Sequence, residues 1–444
     1  VNLPVAVLDW RDNVSVERQI EDFLQEDSDR SFILTQAPIS RLTLIRTAQT
    51  TYEFIWTCHH LLLDGWSGAL VLNQVMESYE ALRQGKVLSP AATPTYQTYI
   101  RWQQQQDAAA AKAFWQKTLR GFATPTPLPF VDTSVDLPET ERQAEAAVVL
   151  TVEETAAVNA FLRSHRLTLN TFMQGLWALT LNGYSQSSDV LFGATVSGRQ
   201  GDLAGVASTV GLLINVLPIR MKISASMSAL DWLQSWQQQQ AEMTPYAHAS
   251  LTDIQAWCEL SGRLSGRPSG RLFDSLLVIE NYPMSLQADA ASVRLENMRS
   301  GVVSTYGLTV LVKPGDALTL SIASAYAARS DIQDVLQQFH QLLTAIVTTP
   351  TASVEEAVAA GDFSAISSRS ATLLASPSGV DVHADYLPDL SREALADSFT
   401  APRNSLELRL LKIWSAVLGP ASERATEARA ASQLTVEDSF FDWG

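Results

Sequence analysis

The sequence predicts an α/β protein of the α+β type, with two large lobes and a smaller C-terminal part. The chain has 444 residues, more than one domain usually holds, and its 46% hydrophobic content can fill two cores. Residues 41–60 alternate between apolar and polar side chains, which indicates strands. Other stretches carry apolar residues at the three- and four-residue spacing of helices.

The first strands are predicted in residues 41–60, where two apolar runs flank a polar Gln-Thr-Thr. This pattern is typical of an antiparallel pair, whose second strand ends at His59 and His60. Ser67 is predicted to cap a helix that Gly85 ends. The two histidines are therefore expected where a strand passes into a helix.

The first lobe is predicted to comprise residues 1–125, because a helical zone ends there at the Pro- and Thr-rich string ATPTPLP. The second lobe is predicted at residues 126–350. One of its helices is expected to begin with a capping box formed by Thr151 and Glu154.

The last elements of the second lobe are predicted as a hairpin followed by a helix. Pro314 and Gly315 are turn-forming residues between two strand patterns. Ser330 is predicted to cap the helix, whose apolar side carries Val335, Phe339, Leu342 and Ile346.

The C-terminal part is predicted to be a linker followed by the start of another domain. In residues 351–400, Ala, Ser, Thr and Pro are abundant and periodicity is weak. Residues 401–444 contain SLELRLLKIWSAVLG, which restores the pattern of an amphipathic helix.

Charge and composition exclude several kinds of partner. With 31 basic and 47 acidic residues, the net charge of −16 opposes binding to nucleic acid and to anionic membranes. No signal peptide or membrane-spanning run is visible, and the two cysteines lack Cys-x-x-Cys spacing. The chain is therefore expected in the cytoplasm. Because it starts in mid-pattern without methionine, we expect a piece of a longer sequence.

The string HHLLLDG at 59–65 carries the most specific chemistry. Side chains alternate along a strand, so His60 is expected on the face of Cys58 and His59 on the opposite face. Histidine accepts or holds a proton near neutral pH, Asp64 can fix the loop, and Gly65 permits a sharp turn.

Other interpretations of the histidines are weaker. An isolated His-His pair is most often a satisfied core group, but the full string between a strand and a helix favours a functional site. A metal site would need a third ligand, and the other four histidines lack ligand spacing. A serine nucleophile would need a Gly-x-Ser-x-Gly string, which is absent.

HHLLLDGWS resembles the signature of condensation domains of nonribosomal peptide synthetases, relatives of chloramphenicol acetyltransferase. YQTYIRW, VGLLINVLPIR and LFDSLLVIENYP resemble three further motifs of this family, in the same order, over roughly residues 1–350. The resemblance implies two acetyltransferase-like lobes in a V-shaped pseudo-dimer with a central tunnel. It also implies a catalytic site formed by His60, His59, Asp64 and Gly65, with His60 handling the proton or orienting the amine.

The same resemblance suggests substrate or tunnel residues: Trp66, Ser67, Arg199, Asn215, Ser304 and Tyr306. Most apolar residues of these motifs are expected to be plain core. The family also has an upstream Ser-Pro-x-Gln motif and an arginine that pairs with the signature aspartate. Neither is visible in the sequence.

The C-terminal segment resembles the first part of a peptidyl carrier protein, through SLELRLLKIWSAVLG and VEDSFFDWG at 436–444. The serine that carries 4′-phosphopantetheine would follow Gly444. No adenylation domain lies between the two parts, although PDLSREALADSF at 388–399 resembles the junction that follows one. A lone amphipathic helix that packs on the body is the alternative.

The resemblance implies amide bond formation between a donor acyl or peptidyl thioester and an acceptor aminoacyl thioester. Both would be held on the phosphopantetheine arms of carrier proteins, so donor and acceptor carriers and other synthetase domains are the expected partners. No metal is expected. An ester-forming or epimerising variant and a noncatalytic docking module for carriers are the alternatives.

Overall fold

The computed structural model describes residues 3–11, 13, 15–86, 93–122, 125–131, 144–258, 271–283 and 306–363. These residues form two compact units. The first unit contains the chain up to Gly68 together with Val210–Leu212, and the second contains the other described residues. The mixture of helices and strands confirms the predicted α/β class.

The first unit is a three-stranded sheet with one helix. The strands are β1 (Val5–Asp9), β2 (Ser40–Arg46) and β3 (Tyr52–Cys58), and the helix is α1 (Val16–Asp29). β1 runs parallel to β2, whereas β2 and β3 are antiparallel, which confirms the strand pair predicted in residues 41–60. Helix α2 (Gly65–Arg83) starts in this unit.

The second unit begins with the rest of α2 and two further helices, α3 (Tyr96–Gln104) and α4 (Ala108–Thr118). Trp115 of α4 is fully buried in the core of this unit, and its indole Nε1 donates to the Tyr246 carbonyl at 3.2 Å. The division between the units falls after Gly68, and α4 packs in the core of the second unit. The lobe boundary near residue 125 stays a prediction.

A six-stranded mixed sheet, with strand order β4-β9-β8-β7-β5-β6, forms the centre of the second unit. Its strands are β4 (Ala144–Val149), β5 (Asp189–Val196), β6 (Asn215–Lys222), β7 (Ser275–Ile279), β8 (Leu308–Lys313) and β9 (Thr319–Ser324). Its helices are α5 (Val152–His165), α6 (Leu169–Ser185), α7 (Ala229–Met243), α8 (Leu251–Trp257), α9 (Arg329–Thr348) and α10 (Val354–Ala359).

Several local predictions for this unit are confirmed. Thr151 and Glu154 form a complete capping box at the start of α5, and β8 and β9 pair as the hairpin predicted around Pro314 and Gly315. The predicted apolar side of α9 is fully buried at Val335, Phe339, Leu342 and Ile346. Ser330 is not the cap of α9, however, because the helix already begins at Arg329 with Ala328 before it.

Part of the segment predicted as a linker at 351–400 is helical. Residues 354–359 form α10, whose start is a capping box between Ser353 and Glu356. Val354 and Ala357 are buried in the core of the second unit, which explains why this short helix is ordered against it. Residues 364–400 of the linker and the carrier-like residues 401–444 lie outside the described residues.

Candidate active site

The HHLLLDG string occupies the passage from β3 to α2, as its sequence predicts. The backbone N–H of His59 donates to the Ile39 carbonyl at 3.0 Å, so the contact with the segment before β2 continues one residue beyond β3. The chain then turns, and the Leu62 N–H donates to the His59 carbonyl at 3.0 Å. His60 therefore lies in a tight turn between two regular elements.

The imidazole of His59 is part of this turn. Its Nδ1 accepts the backbone N–H of Leu61 at 3.1 Å, so in the neutral ring the proton is on Nε2. Burial lowers the pKa of His59, and the nearby His60 lowers it further by charge repulsion. The Nδ1 lone pair of His59 is thus used within the turn, which makes His60 the stronger candidate for accepting a proton.

Asp64 caps helix α2. Its side chain is buried, and Oδ1 accepts the backbone N–H of Ser67 at 2.8 Å, the usual geometry between a cap residue and the third helical residue. The prediction that Ser67 is the cap is therefore wrong, because the helix begins two residues earlier at Gly65. Asp64 also donates its backbone N–H to the Gly211 carbonyl at 3.2 Å.

Ser67 joins two sequence motifs. It is completely buried, and its hydroxyl donates to the Gly211 carbonyl at 2.8 Å while it accepts the Gly211 N–H at 3.0 Å. Gly211 belongs to VGLLINVLPIR, so the start of α2 is bound to the second motif. This use of the hydroxyl differs from the substrate contact predicted for Ser67. Gly65 and Trp66 lie half-buried in the first turn of α2.

Arg199 lies in the turn after β5. Its guanidinium donates to the carbonyls of Ser197 at 3.0 Å and Thr209 at 3.3 Å. The neighbouring Gly198 has a positive φ of 64°, and a Cβ there would lie 1.7 Å from the Leu213 carbonyl oxygen. The Ser-Gly-Arg string therefore shapes the loop that leads to Gly211, and only glycine fits at its centre.

Asn215 supports a neighbouring loop. Its amide Nδ2 donates to the carbonyls of Ala247 at 2.9 Å and Ala249 at 2.7 Å, and its Oδ1 accepts the Val216 N–H at 2.9 Å. His248 lies between the two alanines, and burial lowers its pKa. These bonds give Asn215 a structural role that its sequence pattern did not indicate.

Tyr306 stacks on Phe273, with ring centroids 5.6 Å apart. Burial raises the pKa of Tyr306, which the charge of Arg271 partly opposes. Ser304 lies outside the described residues. The role of Tyr306 in a tunnel stays a prediction.

Sequence reasoning missed a group beside His59 formed by Asp27, Phe32 and Arg41. Arg41 donates through Nε to Asp27 Oδ1 at 2.6 Å, and its guanidinium carbon lies 4.4 Å from the centre of the Phe32 ring. The signal available in the sequence was Arg41, a charged residue within a predicted strand.

Membrane-spanning helices and metal-binding clusters are both absent from the part of the chain that the structure describes. Within the ranges given above, no helix is long and apolar enough to cross a membrane. Nor do those ranges hold three or more His, Cys, Asp or Glu side chains grouped closely enough for a metal ion.

Comparisons with known proteins agree with the geometry. A family model described as "Condensation domain" matches residues 1–365. One component of linear gramicidin synthase from Brevibacillus parabrevis is 39% identical over 345 residues, which are 76% of this chain and 4% of that protein. Chondramide synthase from Chondromyces crocatus is 38% identical over 309 residues, or 66% of this chain and 8% of that protein. The chain thus spans a small part of these relatives.

The fold is also found in solved structures. The first condensation domain of the calcium-dependent antibiotic synthetase, in complex with a substrate analogue, gives a TM-score of 0.61 at 15% identity and covers 79% of this chain and 77% of its own. These values show a shared fold and nothing finer.

Proposed function

The chain belongs to the condensation domain family of nonribosomal peptide synthetases, and from this membership we propose that it forms an amide bond between two carrier-bound thioesters. The donor is an acyl or peptidyl thioester, and the acceptor is an aminoacyl thioester. Each is held on the 4′-phosphopantetheine arm of a carrier protein. The observation that carries the proposal is the complete HHLLLDG string at the β3–α2 junction, where Asp64 caps the helix.

In the proposed reaction, the acceptor amine nitrogen attacks the donor carbonyl carbon. A C–N bond forms, the C–S bond breaks, and the proton lost by nitrogen balances the proton gained by the leaving sulfur. Holding two tethered reactants in near-attack geometry supplies an effective molarity of up to roughly 10⁵ to 10⁸ M. Most of the acceleration is therefore attributed to positioning.

We assign proton handling, or orientation of the attacking amine, to His60. The Nδ1 of the adjacent His59 is already used by the Leu61 N–H, so His59 serves the shape of the turn instead. Acid–base help from a well-placed side chain is worth about 10² to 10⁴ in rate. Asp64 and Ser67 hold the start of α2 next to His60, and they are positioning residues in this proposal.

The experiment loads donor and acceptor carriers chemically and follows the product thioester by mass spectrometry. Wild type is expected to form product, and His60→Ala is expected to lose about 10² or more in rate. His165→Ala is the matched control, because His165 lies at the end of α5 in the other unit.

Other outcomes would change the proposal. Full activity in His60→Ala would remove the acid–base role and leave positioning alone. Absence of product from wild type, with carriers still bound, would favour a noncatalytic docking module. Transfer to a hydroxyl acceptor in place of an amine would identify an ester-forming variant, and inversion at the donor an epimerising one.

A further inference from the structure

The ring of His59 has an aromatic neighbour, Phe32, in the segment that follows α1. Phe32 meets it edge to face, with ring centroids 6.4 Å apart and planes at 74°. The guanidinium carbon of Arg41 lies 4.4 Å from the centroid of the same Phe32 ring. Arg41 thus contacts Phe32 through a cation–π interaction, and Phe32 contacts His59.

Arg41 is held firmly in this position. Nε donates to Asp27 Oδ1 at 2.6 Å, and Nη2 donates to the carbonyls of Asp27 and Arg30, the latter at 3.0 Å. The side chains of Arg41 and Asp27 are only 12% and 10% exposed. A buried guanidinium that donates several hydrogen bonds has little freedom to move.

Asp27 also contacts the strand that carries the histidines. Its Oδ2 accepts the hydroxyl of Thr57 at 2.5 Å. Arg41 and Thr57 are register partners in the β2–β3 pair, and Thr57 precedes His59 by two residues, which places both on one side of the strand. Asp27, Arg41 and Thr57 therefore form one bonded group next to His59.

Asp27 and Arg41 are both charged at neutral pH. Burial raises the pKa of Asp27, but the hydrogen bonds from Arg41 and Thr57 outweigh that effect and leave the pKa below its usual value. The Asp27–Arg41 pair is a fixed support, because separating it would leave a buried charge without its partner.

We propose that Arg41 and Phe32, anchored by Asp27, are positioning residues that hold the His59 ring in the orientation in which Nδ1 accepts the Leu61 N–H. In this role they set the tautomer of His59 and the turn that places His60. The effect on catalysis rests on the proposed function, whereas the effect on the His59 ring does not.

The test compares variants of the 444-residue chain. Phe32→Leu removes the aromatic ring and keeps an apolar side chain, whereas Phe32→Tyr keeps an aromatic ring. Tyr52→Leu is the matched control, because Arg46 stands over the Tyr52 ring at 5.6 Å on the same two strands, at the end of β3 distant from the histidines. Circular dichroism and thermal melts verify that each variant is folded.

The direct measurement is the tautomer of His59 in protein labelled with ¹⁵N-histidine, with resonances assigned by His59→Gln. Wild type is expected to show an unprotonated Nδ1 and a protonated Nε2. Phe32→Leu is expected to show a mixture of tautomers, whereas Phe32→Tyr and Tyr52→Leu retain the wild-type signals. An unchanged His59 spectrum in folded Phe32→Leu would overturn the proposal.

The second measurement is the carrier transfer assay. Phe32→Leu is expected to lower kcat about threefold to tenfold with little change in KM, since aromatic contacts of this kind are modest in energy. Equal loss in Phe32→Leu and Tyr52→Leu would mean a general structural effect and would overturn the proposal. If wild type forms no product, the proposed function fails, and the tautomer measurement alone decides the role of Phe32.

Discussion

Ser67 and Gly211 exchange two hydrogen bonds, although 144 positions separate them in the sequence. The serine hydroxyl accepts from the glycine N–H at 3.0 Å and donates to its carbonyl at 2.8 Å. Gly211 also accepts the Asp64 N–H. The start of α2 is therefore bound directly to the loop that follows Thr209.

Ser67→Ala should destabilise the protein by about 1–3 kcal/mol, because both backbone groups of Gly211 lose a buried partner. Urea denaturation measures the loss. Ser164→Ala is the control, since the Ser164 hydroxyl donates to the Phe161 carbonyl within its own helix α5. Equal stability of the two variants would contradict the importance assigned to the Ser67–Gly211 pair.

Asp64→Ala should weaken the start of α2 by about 0.5–2 kcal/mol, the usual cost of losing a helix cap. In Asp64→Ala, we expect faster hydrogen exchange at the Ser67 amide, which donates to Asp64 in wild type. Asp64→Asn keeps a side-chain acceptor and should exchange nearly as slowly as wild type. Fast exchange in wild type itself would show that Asp64 is not the cap.

Gly198→Ala should prevent correct folding of its loop, whereas Gly85→Ala should be tolerated. Both glycines have positive φ, 64° and 70°, but only at Gly198 would a Cβ meet a backbone atom, at 1.7 Å. The strained conformation alone costs roughly 1–2 kcal/mol. Comparison of melting temperatures separates the clash from this strain, and similar values for the two variants would refute the clash.

Asn215→Asp should destabilise the loop around His248, since a carboxylate cannot donate to the carbonyls of Ala247 and Ala249. A loss of about 1–3 kcal/mol is expected from unpaired buried groups. Steady-state kinetics distinguish the two roles of this residue. A changed KM for one substrate, without a change in stability, would restore the substrate contact predicted from the sequence.

Glu154→Gln should reduce the dependence of the protein's stability on pH in the acid range. A hydrogen bond from the Thr151 backbone is the main reason that the pKa of Glu154 lies below its ordinary 4.5, and the nearby His340 adds to it. A carboxyl with a lowered folded pKa stabilises the fold above its unfolded pKa and loses this effect as the pH falls through the folded one.

Melting temperatures between about pH 3 and pH 6 measure this effect, which should fade below pH 4.5 in wild type. Glutamine keeps the capping acceptor without a titrating group. Glu153→Gln changes the neighbouring exposed residue and should behave as wild type. If the melting temperature of Glu154→Gln changed with pH as much as that of wild type, Glu154 would make no contribution to the acid sensitivity.

Much of the candidate site follows from local sequence patterns. Alternation predicted the β2–β3 pair, and the Pro314-Gly315 turn predicted the β8–β9 hairpin, because each depends on residues close in the chain. The HHLLLDG string likewise placed the histidines between a strand and a helix. Where patterns competed, prediction failed: Asp64 and Ser67 are both good caps, and only the backbone geometry chose Asp64.

By itself, the sequence determined the family, the α/β class, the main strands and helices of the described residues, and the histidines on which the proposed chemistry depends. Only the tertiary structure decided which distant groups meet: Ser67 with Gly211, Asn215 with Ala247 and Ala249, and Arg41 with Phe32 beside His59. The physical reason is that periodicity and capping arise within a few residues, whereas a buried side chain finds its hydrogen-bond partner only after the chain has closed on itself.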